Sequence, residues 1–313
     1  MDRDDVNWRG YWAASPTPFA ADGSYDADAH RALMDWYIGE GLHGVLVNGT
    51  TGEWFAQTPE ERKLVAQTVI EHVAGRIPVV VGCTAYTARE ASEYARAAVA
   101  AGADGIESTA PPYSKPFDDE LVAYFEELSA SVDAPLMVYN WVHGTNVEIG
   151  PQLASRLAGI DTIVALKDST PDLEQFFETT RTVVGRLRVF GPFMSTRGYA
   201  ELKAHGGDGF IGGGTVYGAP DPQFWEDYWA GDDEAALAHA RRTEELFPKL
   251  WRPGGWAGLY GGYQSQLKAI MKLLGQPGGE VRPPRLPVTD PASLAAIREV
   301  LVAEQLLPER SAV

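Results

Sequence analysis

Residues 44–109 read GVLVNGTTGEWFAQTPEERKLVAQTVIEHVAGRIPVVVGCTAYTAREASEYARAAVAAGADGIEST, which is three short apolar runs (44–49, 78–83 and 105–109) separated by two amphipathic stretches. In the first stretch Val65, Val69 and Val73 recur at i, i+4 and i+8 on one helical face. Its start is marked as well. Thr58-Pro59-Glu60-Glu61 sets an N-cap threonine before a proline at the first helical position and a glutamate at the third. Thr87-Ala88-Arg89-Glu90 predicts a second capping box. Near-continuous apolar strands joined through helices imply a parallel sheet covered by those helices.

The same unit repeats outward in both directions. Strand-like runs fall at 11–14, 44–49, 78–83, 105–109, 135–140, 163–168, 188–191 and 209–212, and from the second onward their starts are spaced by 34, 27, 30, 28, 25 and 21 residues. Ala29, Leu33, Trp36 and Tyr37 form one helical face, and Thr170-Pro171-Asp172 predicts another threonine-then-proline helix start. Eight such units fit a (β/α)8 TIM barrel. The rival, a doubly wound open sheet, lacks its G-x-G-x-x-G after every strand. After about residue 230 the strand pattern stops, and helical stretches follow at 234–250, 265–274 and 292–306 between Gly/Pro-rich linkers. The expected division is a barrel over 1–230 and a C-terminal helical region, a three-helix appendage, over 231–313.

Composition narrows the function. The chain has 313 residues, 45% of them hydrophobic, and 26 basic against 43 acidic side chains give a net charge of −17. Such a surface repels a phosphate backbone, which sets nucleic-acid partners aside. Cys83 is the only cysteine, so neither an intramolecular disulfide nor a thiolate zinc cluster can form. The six histidines, at 30, 43, 72, 143, 205 and 239, show no metal-ligand spacing, and no metal or organic cofactor is expected. The start Met1-Asp2-Arg3-Asp4-Asp5 is acidic where a signal peptide is basic, and no apolar run of about 18 residues follows, so a cytoplasmic protein without a membrane span is expected.

In a TIM barrel the site lies at the C-terminal ends of the strands. The second strand run ends in Gly49-Thr50-Thr51-Gly52-Glu53, the fourth leads into Pro111-Pro112-Tyr113, the fifth ends in Tyr139-Asn140 and the sixth in Lys167-Asp168. Only seven of the 26 basic residues are lysines, and Lys167 follows Leu166 on an apolar strand. Desolvation there favours the neutral, nucleophilic amine; the plain alternative is a barrel lysine paired with Asp168 or another carboxylate. Tyr139 is either a proton shuttle beside that amine or an aromatic core residue. The Gly49-Thr50-Thr51-Gly52 turn offers N–H groups and two hydroxyls to a small carboxylate, or is simply a tight turn. Cys83 is read as packing, and Gly212-Gly213-Gly214 as a close-packing turn rather than a phosphate cradle.

Taken together, these stretches resemble the dihydrodipicolinate synthase / N-acetylneuraminate lyase family of class I pyruvate aldolases. The resemblance also covers Pro112-Tyr113-Ser114-Lys115-Pro116, Leu166-Lys167-Asp168-Ser169-Thr170 and the tail Leu267-Lys268-Ala269-Ile270-Met271-Lys272-Leu273-Leu274-Gly275. It implies that Lys167 forms a Schiff base with pyruvate or another 2-keto acid and that Tyr139 relays protons. It further implies that Thr50 links Tyr139 to Tyr113, that Tyr113 reaches the neighbouring subunit's site in a homotetramer, and that Thr50 and Thr51 hold the substrate carboxylate. Gly191 and Ile211 match positions whose backbone carbonyls line the pocket. A lyase or aldolase without a cofactor follows, with a Schiff-base dehydratase of a 3-deoxy-2-keto acid, or a non-catalytic metabolite-binding member, as alternatives.

Departures from the family pattern bear on the second substrate, an aldehyde. The arginine that lysine-biosynthetic members carry five residues after the strand-5 tyrosine is replaced here by Gly144, preceded by His143. The acidic residues with which sialic-acid lyases follow the glycine matched by Gly191 are replaced by Pro192-Phe193. Trp54, Phe55, Trp141 and Phe193 supply bulk instead; they either favour a less polar aldehyde or only pack loops, and His143 is either an added acid, base or donor at the site or a surface-loop histidine.

Overall fold

The computed structural model describes residues 1–213 and 220–308. In it β1 (Gly10–Ala14), β2 (Gly44–Val47), β3 (Val79–Gly82), β4 (Gly105–Thr109), β5 (Leu136–Asn140), β6 (Ile163–Asp168), β7 (Arg188–Phe190) and β8 (Gly209–Gly212) close into one barrel in chain order. Each strand runs parallel to its neighbours, and β8 closes on β1 with Trp12 opposite Ile211. The fold is therefore a (β/α)8 barrel followed by C-terminal helices.

The strands read as continuous apolar runs because both of their faces are buried. Inward-pointing Trp12, Leu46, Val80, Met137, Ala165, Phe190 and Ile211 fill the barrel with Trp8, while Val45, Val81, Ile106, Val138 and Leu166 meet the helices. Two indoles plug the lower barrel, and glycines admit them: a Cβ on Gly44 would stand 2.3 Å from the Trp12 ring, and one on Gly105 would stand 2.5 Å from that of Trp8. Trp12 is fully buried between Trp8 and Phe190, at centroid distances of 5.8 and 5.3 Å. Trp12→Ala is expected to lower stability by about 3–5 kcal/mol, read as a fall in the denaturant midpoint at constant slope.

The helices alternate with the strands: α1 (Ala27–Gly39), α2 (Pro59–Val73), α3 (Ala88–Ala101), α4 (Asp118–Ala130), the short α5 (Val142–Thr145), α6 (Pro151–Leu157), α7 (Leu173–Val183), α8 (Thr196–His205) and α9 (Pro220–Ala230). Thr58 and Glu61 form the full reciprocal box that opens α2. Thr87 caps the Glu90 N–H of α3, but the Glu90 carboxylate accepts from the Tyr94 hydroxyl instead of closing the box. The third predicted start is displaced: Thr170 accepts from the Asp172 N–H, and Asp172 itself caps α7 through the N–H groups of Glu174 and Gln175. The inner face of α1 centres on His30, Leu33, Met34 and Tyr37, leaving Trp36 half-buried.

α10 (Asp233–Leu250), α11 (Tyr263–Leu274) and α12 (Pro291–Ala303) follow. α11 lies across the end of β2. Lys268 and Glu53, both buried, pair at 2.7 Å, and Lys268 also donates to the Thr17 and Glu280 carbonyls. The Gln264 amide donates to the Thr50 carbonyl at 2.8 Å. Arg282, in the linker beyond α11, donates to Glu61 and to the Ala56 and Gly23 carbonyls.

Candidate active site

Strand alternation decides what the barrel mouth contains. On β6, Ala165 and Lys167 point inward; on β5, Met137 and Tyr139 do, and the ladder sets Tyr139 beside Lys167. Lys167 is 6% exposed, and its Nζ lies 3.8 Å from the centre of the Tyr139 ring. Burial pushes its ammonium down to about 8, against the opposing pull of Glu107. Burial also pushes the Tyr139 phenol well above its ordinary range, opposed by a hydrogen bond with Ser169.

Asp168 is not the partner of Lys167. It faces the other side of the sheet, where its Oδ1 accepts from the Asn140 amide at 2.9 Å and the Thr170 N–H at 2.9 Å. Asn140 in turn binds Glu148 and Ile149, so this cluster fixes the ends of β5 and β6. The lysine is left inside the barrel with its aromatic neighbour.

The threonine turn borders the same mouth. The N–H groups of Thr50, Thr51 and Gly52 donate to no acceptor among the described residues, and the turn is held from behind by Gln264, Gln57 and Thr17. Thr51 is buried, and its side chain meets the Tyr263 hydroxyl. Thr50 is half-buried. The Tyr139 phenol meets Ser169, and no hydrogen bond joins it to Thr50 among the described residues. Tyr113 is 94% exposed with φ 76°, on the rim between β4 and α4 and away from the chain's own cavity.

Of the bulky residues, Trp141 alone reaches the amine's surroundings. Its ring stacks on Tyr139 at 5.8 Å, and its other side continues through His143 at 5.6 Å to Trp256, 6.1 Å from His143. The indole folds back over Gly144, where a Cβ would stand 2.3 Å from it. Phe193 is not brought to the site. A tight turn from the Phe193 N–H to the Gly191 carbonyl, at 2.7 Å, swings the ring outward between Phe176 and Trp225. The Gly191 carbonyl accepts that bond with one of its two lone pairs, and a Cβ there would strike the Phe176 ring at 2.2 Å. Trp54 covers the Arg62 guanidinium and Phe55 lies near Arg285. Ile211 lies in the barrel interior at 9% exposure.

Tyr263 and Glu107 belong to the site and escape sequence reasoning. Tyr263 comes from α11, its hydroxyl only 2.0 Å from where a Cβ on Gly213 would be; Gly212 is likewise closed in by Tyr11, and Gly214 lies outside the described residues. Burial pushes the Tyr263 phenol up to about 12. Glu107 points into the barrel from β4, where its charge and that of Lys167 act on each other. Cys83 is buried against the helices, and burial pushes its thiol up to about 12.

A closed parallel barrel with a desolvated lysine and a phenol at the strand ends is the architecture of a lyase family. The sequence matches the pattern of the Dihydrodipicolinate synthetase family over residues 7–301, and the chain belongs to that family. It is 33% identical over 300 residues to an uncharacterized DapA-like lyase of Rhizobium meliloti, covering 95% of this chain and 96% of that one. It is 32% identical over 291 residues to the 4-hydroxy-tetrahydrodipicolinate synthase of Acidothermus cellulolyticus, covering 93% and 90%. Among solved structures, it superposes with a TM-score of 0.86 and 27% identity on a prophage protein of the dihydrodipicolinic acid synthase family from E. coli K12 in complex with pyruvate, covering 96% and 100%. No helix among the described residues is long and apolar enough to cross a membrane.

Proposed function

We propose that this protein is a Schiff-base lyase in which Lys167 condenses with pyruvate or another 2-keto acid, and in which the second substrate is an aldehyde less polar than that of the lysine-biosynthetic synthases. The observation that carries the first part is the Lys167 amine, buried at a strand end, 3.8 Å from the centre of the Tyr139 ring and brought down to about 8. An amine in that range attacks a keto carbon near neutral pH, and the resulting iminium withdraws electrons from the adjacent carbon. The methyl of pyruvate then loses a proton to give an enamine that adds to an aldehyde, or the reverse cleavage runs. Tyr139 is the group placed to move protons. The unengaged N–H groups of the threonine turn suit the 2-keto acid's carboxylate. That a relative's structure holds pyruvate supports the same assignment.

Borohydride reduction in the presence of pyruvate, followed by intact mass and peptide mapping, tests this reading. A label on Lys167 is expected; an unmodified chain, or a label elsewhere, overturns it.

The second part rests on Trp141. Because its indole takes the space over Gly144, no side chain at 144 fits beneath it, and an arginine there and this tryptophan position exclude each other. The wall beside the amine is aromatic instead of cationic. An aromatic aldehyde is expected to be preferred to a small dianionic one, and Trp141→Ala to cut kcat/KM for it by about tenfold while leaving the pyruvate adduct intact. A preference for the dianionic aldehyde in a substrate screen would remove this part alone. Self-association through the β4–α4 rim is part of the proposal, since Tyr113 and Phe117 stand exposed there.

A further inference from the structure

β4 carries a carboxylate inside a barrel whose other inner positions are largely apolar. Along Gly105–Thr109, Ile106 enters the outer core and Ser108 bonds the Tyr124 hydroxyl of α4 at 2.9 Å, so Glu107 and Thr109 point inward. In the ladder Glu107 stands beside Met137, and Met137 beside Ala165, each two residues before Tyr139 and Lys167. The carboxylate thus sits on the same inner wall as the phenol and the amine, one step deeper. It is 1% exposed, and its Oε1 meets no hydrogen-bond partner among the described residues. An unbonded buried carboxylate is strongly unfavourable, so what faces it matters.

Two cations act on Glu107: Lys167 from β6 and Arg62 from α2. Arg62 is committed elsewhere, donating to the Gly82 and Thr84 carbonyls and stacking on Tyr94 at 3.8 Å. Cys83, just past β3, Tyr124 of α4 and Tyr139 of β5 complete the titratable surroundings, and all three are held neutral by burial. Lys167 has no carboxylate in direct contact among the described residues, Asp168 being turned away. The unmatched anion and the unmatched cation of the inner wall are therefore Glu107 and Lys167.

We propose that Glu107 is the counter-charge of Lys167 and of the iminium that Lys167 forms, a positioning residue that acts through the lysine and not on the substrate. The inference rests on the Schiff-base reading above. In the condensation the Nζ–C bond forms and the keto C–O bond breaks. The ammonium gives up two of its three protons, and the keto oxygen leaves with them as water. The nitrogen is positive before and after, so one fixed carboxylate balances the buried charge at both ends of the step. To attack, the amine must first shed a proton, and burial favours the neutral form of both groups, raising Glu107 and lowering Lys167, while each opposes that shift in the other.

Glu107→Gln is expected to have two opposite effects. Without the anion the Lys167 amine becomes neutral at lower pH, yet the iminium loses its balancing charge. In the full chain, the pH midpoint for Lys167 acetylation by acetic anhydride, read by peptide mass, is expected to fall by about one unit. At about pH 9.5, where the free amine is largely neutral with or without the anion, the pyruvate concentration that half-saturates borohydride trapping is expected to rise by about tenfold, because only the iminium then loses its balancing charge. Glu107→Asp, which keeps the charge, is expected to restore most of both. Because burial disfavours the Glu107 charge, the Gln variant is expected to fold, with an unchanged or raised unfolding temperature beside these effects. A Gln variant with an unshifted midpoint and unshifted trapping overturns the proposal. If the unsubstituted chain forms no adduct, the Schiff-base reading fails, and the acetylation midpoint alone then decides whether Glu107 balances Lys167.

Discussion

Lys167→Ala is expected to give a folded barrel that gains no mass from pyruvate and borohydride and whose turnover is lower by at least about a thousandfold. Folding survives because Asp168 is satisfied by Asn140 and Thr170, so the ends of β5 and β6 stay tied, and because Glu107, already raised by burial, takes up a proton when its counter-charge is gone. Chemistry does not survive, because the other lysines lack this setting. Lys268, the other lysine buried in the core, is paired with Glu53. The unsubstituted chain also has a pH signature. Lys167 is lowered to about 8, so lowering the pH through that value protonates the amine and slows adduct formation, while raising it through that value speeds formation toward a plateau. At pH 7.5 an amine with that value is neutral about a quarter of the time, against about one part in a thousand for an ordinary lysine. An adduct rate that still climbs tenfold per unit above pH 9 would contradict the desolvated lysine.

Tyr139→Phe separates binding from proton transfer. The ring remains beneath Nζ and against Trp141, so the cavity keeps its shape and the pyruvate adduct still forms. What disappears is the hydroxyl that meets Ser169. Turnover is expected to drop by about 10²–10⁴ with the trapped adduct retained, as loss of a general acid–base group does. Steady-state kcat beside single-turnover trapping measures the split. Normal turnover in the phenylalanine variant would remove Tyr139 from the proton path.

Most of the strands were legible because a parallel strand buried on both faces writes itself as an unbroken apolar run, and Gly44–Val47, Ile163–Asp168 and Gly209–Gly212 fall where that pattern puts them. Lys167 and Tyr139 were legible for the same reason, since an odd polar residue ends each run. Direction beyond a strand end was not. Phe193 follows β7 by three residues, yet one tight turn sends its ring to the helices, and no local pattern encodes that swing. Thr170-Pro171-Asp172 holds two capping residues, and the aspartate, not the threonine, opens α7. Glu107 escaped notice because a glutamate between Ile106 and Ser108 reads as the polar half of an alternation, and only barrel closure shows that this half faces inward. Tyr263 meets Thr51 from more than two hundred positions away, a contact that belongs to the tertiary fold alone.

The hold of α11 on the threonine turn gives the order of synthesis a meaning. Thr50, Thr51 and Glu53 leave the ribosome early, but the groups that fasten them, Gln264, Tyr263 and Lys268, come more than two hundred residues later. Until then Glu53 has no cation to neutralise it, and the turn lacks its backing. A nascent chain that has already closed its barrel is therefore still without a finished mouth. The proposed uptake of a keto acid therefore depends on a segment made more than two hundred residues after the turn, and a product cut short before α11 is expected to carry the lysine without a backed turn.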